Sequence, residues 1–200
     1  MEEIEVLNRS LFLAINGHDG SSRWVVNLAL VIGDLLIYLI PALLLWMWLW
    51  GSRAQREMSL KTFVVCMLAV GVNQIIPIFY QHPRPFELGL GHTWLTHSPD
   101  SSFPSDHVTV FCSAGLCLLF GRETILGAVA ISAGALVAWA RIFLGIHFPM
   151  DMLGAIFVAF AALAIASPLW RLAGQELLSR AHWIYRGVFA KPISYRWVRP

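Results

Sequence analysis

The chain has 200 residues, 58% of them hydrophobic and 13% charged, with a formal net charge of +2 and a mean hydropathy of +0.66. A water-soluble globule of this length has too little interior for so many apolar side chains, so the composition places the chain in a bilayer as one domain, residues 1–200. The small charge and the lack of a basic stripe exclude a nucleic-acid partner. Cys66, Cys112 and Cys117 lie in apolar runs without C-x-x-C spacing, and give neither a disulfide framework nor a metal site.

Residues 3–16 set Ile4, Leu7, Leu11, Phe12 and Ile15 near helical spacing, with charges on the other side, before Gly17 and Gly20 stop the pattern. The stretch is too short and polar to span, so residues 1–23 are expected to form an amphipathic segment at the interface. Glu2, Glu3 and Glu5 are also not the basic start of a signal peptide. Five spans follow, at about 24–50, 62–80, 105–120, 124–145 and 151–169, each judged against the roughly 20 apolar residues a crossing needs. Gly33-Asp34 and Pro41 interrupt the first, which is expected to cross once or to split and make six. Trp46, Trp48 and Trp50 at its end read as an interfacial belt. Residues 81–103 are polar and rich in Pro, Gly and His, and make a long loop outside the lipid. Residues 24–170 are thus the bundle, and residues 171–200 are an amphipathic basic tail expected on the membrane surface.

Five crossings put the termini on opposite sides. The loop at 51–61, Arg122 and the tail carry ten of the fourteen Lys and Arg; Arg9, Arg23, Arg84 and Arg141 fall on the other side. The positive-inside rule then makes the tail cytoplasmic. It gathers Arg84, Ser105, His107, Arg141, His147 and Asp151 at the external ends of spans two to five.

Ionisable groups in lipid cost several kcal/mol unless paired or wet, which marks this cluster as functional. Arg84 and Arg141 offer planar forks that match phosphate oxygens. Ser105, at the start of span three, adds a helix N-terminus that favours an anion. A cap alone accounts for Ser105 and Asp106 but not for two arginines on other spans. His147 and Asp151 are four apart, with Pro149 suited to the first turn of span five. A carboxylate there can fix one ring nitrogen and leave the other nucleophilic, and His107 can serve as a general acid. The competing reading is a metal site drawn from His107, His147, Asp106, Asp151 and the loop residues His82, His92 and His97. No H-x-x-x-H or H-E-x-x-H spacing supports it, and the arginines would repel a cation.

Three blocks, Pro83-Arg84-Pro85, Pro104-Ser105-Asp106-His107 and Arg141-x5-His147-x3-Asp151, resemble in order and spacing the signatures of the type 2 phosphatidic-acid phosphatase (PAP2) superfamily. The resemblance covers about residues 24–170. It implies an all-α membrane bundle with metal-independent, cofactor-free phosphohistidine chemistry. By position, His147 would be the nucleophile, Asp151 its orienting partner and His107 the acid. Arg84, Arg141 and Ser105 would hold phosphoryl oxygens. Two departures stand out: Pro77 occupies the position of the usual Lys seven residues before Arg84, and Asp106 replaces the Gly of P-S-G-H. His82, Gln81 and Asn73 are candidates to replace the Lys, and Asp106 could repel an anion, pair with an Arg or meet the proton of a second phosphate. The P-S-D-H variant, the short chain and its W-V-R-P ending resemble the undecaprenyl-diphosphatases of the bacitracin-resistance type. That resemblance implies a polyprenyl diphosphate substrate, cleaved at the external face of a bacterial plasma membrane. The alternatives are a phosphatase or phosphotransferase for phosphatidylglycerophosphate, phosphatidate or a glycolipid, and, in another class, a lipid head-group binder or transporter. No oligomeric state follows from the sequence.

Overall fold

The computed structural model describes residues 2–199, and every regular element among them is helical. Helix α1 covers Glu2–Ile15. Helix α2 (Arg23–Leu30) runs through a π-helical turn at Val31–Leu35 and a 3-10 turn at Leu36–Tyr38 into α3 (Leu39–Trp50). The two form one 28-residue crossing, so the first span is not split and the bundle has five apolar helices rather than six. Gly33-Asp34 widens the helix without breaking it, as a single π turn does when a carbonyl is needed elsewhere. The remaining helices are α4 (Arg53–Phe79), α5 (Asp106–Phe120), α6 (Thr124–Phe143), α7 (Pro149–Val188) and α8 (Ala190–Ser194).

Helix α5 is only 15 residues, about 22 Å at 1.5 Å per residue. It packs against α4, α6 and α7, and nearly every residue from Val108 to Leu118 is buried. A helix apolar all round belongs inside, and here it forms the axis on which the longer helices pack. Its approach to α6 is close: a Cβ at Gly127 would lie 2.6 Å from the Leu119 nitrogen. Small residues at such crossings let backbones meet in lipid.

Two expectations change. First, the tail does not begin at 171: α7 is one 40-residue helix that carries Pro168 within it and runs about 60 Å, twice the hydrocarbon thickness. Only beyond Val188 does the chain turn back, where the Arg199 amide donates to the Leu49 carbonyl at 3.0 Å and Trp50 Nε1 donates to the Trp197 carbonyl at 2.9 Å. Trp48 stacks on His182. The Trp cluster therefore clasps the returning tail as well as marking an interface.

Second, α1 does not simply lie beside the bundle. Phe12 is fully buried and meets the Phe148 ring edge-on at 5.2 Å. Asn8 Oδ1 accepts the Met150 amide at 3.0 Å, and Asn16 Nδ2 donates to the carbonyls of His92 (2.9 Å) and Phe143 (3.0 Å). The α6–α7 connection is thus braced from outside by two asparagines. Hydrophobic spacing marks the stripe on α1 but says nothing of which surface receives it.

Candidate active site

The connection between α6 and α7 builds the centre of the site. Gly145 takes φ +82°, and a Cβ there would sit 2.3 Å from the His92 carbonyl oxygen, so this turn requires glycine. The turn brings the Ile146 amide back to the Arg141 carbonyl at 3.2 Å and delivers His147 to the start of α7. Pro149 occupies the first helical turn, where its missing N–H leaves no bond unmade. Asp151 Oδ2 accepts the Phe148 amide at 2.8 Å, which caps the helix and fixes the carboxylate.

That same oxygen lies 3.1 Å from His147 Nδ1. It also accepts the Ser102 hydroxyl, which in turn is 3.4 Å from Nδ1. His147 Nε2 faces Arg84 Nη1 at 3.2 Å. Since Arg only donates, Nε2 is the acceptor nitrogen and Nδ1 carries the proton, which it gives to Asp151. Both residues are buried. Burial, opposed by the Asp151 hydrogen bond and charge and aided by Arg141 and Arg84, pushes the His147 pKa down to about 4. The imidazole is therefore neutral at pH 7, with its free lone pair aimed at the arginine.

Arg84 enters from the loop after α4. Its Nε and Nη2 both donate to Asp100 Oδ1 (2.8 and 2.6 Å), and Nη1 donates to the Ile146 carbonyl at 2.9 Å. Burial alone would raise the Asp100 pKa, but the Arg84 hydrogen bond and charge outweigh it and hold it below the ordinary carboxylate range. The loop is strapped to itself, with the Ser102 amide donating to the His82 carbonyl at 2.7 Å. Arg141 donates to the Gly33 carbonyl at 3.2 Å, the carbonyl at the π turn, and Nη2 lies 3.4 Å from His97 Nε2. Burial, with Arg84 and Arg141 close by, lowers the His97 pKa against the pull of Ser98 and Asp100.

A cavity of about 260 Å³ opens beside these groups, lined among others by Arg84, His97, Asp100, Asp106, His107 and His147. His107 and His147 therefore face one space. Ser105 and Arg141 are buried and outside this lining, and among the described residues Ser105 Oγ and Arg141 Nε have no hydrogen-bond partner. Asp106 is held by amides: Asn73 Nδ2 donates to Oδ1 at 2.7 Å and Gln74 Nε2 to Oδ2 at 3.4 Å. Of the three candidates for the Lys at Pro77, only Asn73 lines the cavity. Gln81 is exposed, and His82 faces Glu5 at 3.5 Å and lines a different cavity.

All seven sequence-derived site residues thus gather at one end of the bundle: Arg84, Asp106, His107 and His147 line the cavity, and Asp151, Ser105 and Arg141 are buried outside its lining. Ser102 and Asp100 carry no role in the sequence reading, and His97 enters there only as a ligand of the competing metal site. Serines and loop carboxylates are too common to single out, and only the strap that folds residues 97–102 over α7 brings them in.

Residues 58–174 match the PAP2 superfamily. The Escherichia coli (strain K12) protein YbjG, provisionally named an undecaprenyl-diphosphatase, is 36% identical over 98% of this chain and 99% of its own length. Undecaprenyl-diphosphatase BcrC of Bacillus subtilis (strain 168) is 31% identical over 76% of this chain and 79% of its own. The crystal structure of Aquifex aeolicus LpxE superposes with a TM-score of 0.65, covering 80% of this chain and 94% of that one at 21% identity, a likeness of fold.

Proposed function

This chain belongs to the PAP2 superfamily, and from that premise we propose that it is an undecaprenyl-diphosphate phosphatase. It releases orthophosphate and leaves undecaprenyl phosphate, which is free to serve again as the carrier lipid of cell-wall synthesis. The observation that carries the reading is the neutral, oriented His147 with Nε2 turned to Arg84 and the cavity, in a chain alike end to end to a relative named for that reaction.

In the first step His147 Nε2 attacks the terminal phosphorus. The bond to the bridging oxygen breaks, its electron pair leaves with undecaprenyl phosphate, and His107, protonated as the anionic diphosphate binds beside it, gives its proton to that oxygen. The imidazole becomes a cationic phosphohistidine, which the Asp151 carboxylate stabilises through Nδ1–H. In the second step His107 takes a proton from water, the water oxygen bonds to phosphorus, and the N–P bond breaks to restore neutral His147. The phosphoryl oxygens take the place of Asp100 on the Arg84 fork, and the unpartnered donors of Arg141 and Ser105 complete their shell. With Pro77 in place of a Lys, Asn73 and Gln74 hold Asp106 as an acceptor for the protonated oxygen of the diphosphate. The bias of basic residues supports an external site and a cytoplasmic C-terminus in a bacterial plasma membrane.

The test is phosphate release by detergent-purified protein in EDTA, from undecaprenyl diphosphate and phosphatidate side by side. Preference for the diphosphate is expected. Preference for phosphatidate would move the protein to glycerolipids, activity only on metal addition would overturn the mechanism, and no release from either would leave a head-group binder.

A further inference from the structure

Arg84 is buried, yet the carboxylate that takes two of its donors is exposed. Asp100 Oδ1 accepts both Nε and Nη2, at 2.8 and 2.6 Å, while the Asp100 side chain is 58% exposed. Asp100 and His147 both line the catalytic cavity, and His147 Nε2 stands 3.2 Å from Nη1 of the same guanidinium. Nη1 and Nη2 share one carbon, so a phosphoryl group within reach of Nε2 lies beside the donors that Asp100 holds.

A short turn carries this carboxylate, and the turn is self-contained. Among the described residues, the backbone of 96–100 makes one backbone–backbone hydrogen bond, from the Asp100 amide to the Ser98 carbonyl at 2.9 Å. Ser98 Oγ donates to Asp100 Oδ2 at 3.0 Å, a bond that does not depend on Arg84. The firm anchors lie on either side. The Trp94 amide donates to the Leu144 carbonyl at 3.0 Å, and the Ser102 amide to the His82 carbonyl at 2.7 Å. From 96 to 100, the polar contacts with the rest of the described chain are Asp100 on Arg84 and His97 Nε2 at 3.4 Å from Arg141 Nη2. Both are the arginines on which the phosphoryl oxygens would sit.

A phosphoryl group brings more charge and more acceptor oxygens than a carboxylate, so it can displace Asp100 from the fork. Asp100 rehydrates as it leaves, and Arg84 is never buried without a counter-charge. On the reading that Arg84 holds phosphoryl oxygens, we propose that Asp100 is an internal competitor for the phosphoryl site. It yields the fork to the diphosphate, retakes it after hydrolysis, and so sets how weakly orthophosphate is retained.

The test measures orthophosphate binding by calorimetry to the full chain in neutral detergent with EDTA, where no turnover is needed. Asp100→Asn keeps the size but loses the charge. It should bind orthophosphate about tenfold more tightly, near the low end of what a hydrogen bond to a charged group is worth. Asp100→Ala, which removes the acceptor, should gain at least as much. Asp19→Asn, at a side chain 91% exposed beside His92, removes the same charge and should bind as the parent does. Hydrolysis of undecaprenyl diphosphate by Asp100→Asn should also become about tenfold more sensitive to added orthophosphate. Weaker binding in either Asp100 variant would make the carboxylate a holder of Arg84 and overturn the competition. Unchanged binding would overturn it too, as would an equal gain in Asp19→Asn. Tighter binding in the Asp100 variants of a protein that releases phosphate from neither lipid would strike the phosphatase reading and leave the competition standing.

Discussion

At one end of α4, Arg84 has every direction of its fork taken up: Asp100, the Ile146 and Ser101 carbonyls and His147 Nε2 all receive it. At the other end, Arg53 and Arg186 stand exposed around a cavity more than twice as large. The same side chain is buried and fully engaged in one place and exposed in the other. The difference lies in what the neighbouring backbone supplies. A glycine turn, a helix start and a strapped loop converge on Arg84, and each contributes an acceptor held in place. At the opposite end Arg53 and Arg186 lie on helix flanks and are exposed, whereas only Arg56 is buried and held, by the Arg199 carbonyl and the Tyr185 ring. Orientation that costs nothing at the moment of reaction is what a catalytic group needs.

Variants can break or sharpen that contrast. The largest effect is expected for His147→Ala, which should lower turnover by at least about 10⁴-fold, the scale seen when a nucleophile is removed. Substrate retention should persist, and full activity would end the phosphohistidine mechanism. Asp151→Asn keeps the shape but loses the charge that orients Nδ1–H, and should lower kcat by about 10⁴-fold with KM little changed. Measured kinetics on the same substrate separate the two. Ser102→Ala removes one hydroxyl bond to that carboxylate, worth about 1.5–3 kcal/mol to a charged acceptor, so a fall in kcat of roughly tenfold to a hundredfold is expected. Conversely, R53Q/R186Q should keep detergent turnover within about twofold, the ordinary effect of surface substitutions.

A separate effect is expected on stability. The folded pKa of His147 lies below that of a free imidazole, so the unfolded chain binds its proton first as pH falls. Stability should therefore drop as pH is lowered from about 6.5 to about 4 and this contribution should level off below. Thermal midpoints of the parent and of His147→Gln, compared across that window, should converge on the acid side. Parallel curves would show that His147 does not titrate between the two states.

Composition and spacing alone made this an all-helical membrane bundle, because 20-residue apolar runs have few other solutions in lipid. The same arithmetic put Arg84, Ser105, His107, Arg141, His147 and Asp151 at one end, since span count fixes which helix ends are neighbours. Tertiary structure decided the rest. The single crossing of α2–α3 depended on a π turn whose Gly33 carbonyl goes to Arg141. The length of α7 depended on a tail that folds back only after Val188. The roles open to Ser102 and Asp100, and the amide clamp on Asp106, come from contacts between segments 16 to 49 residues apart. Hydrophobic periodicity records how each helix meets lipid or core, a property of local sequence. Which polar atoms meet across the bundle is set by packing, and no single stretch of the chain carries it.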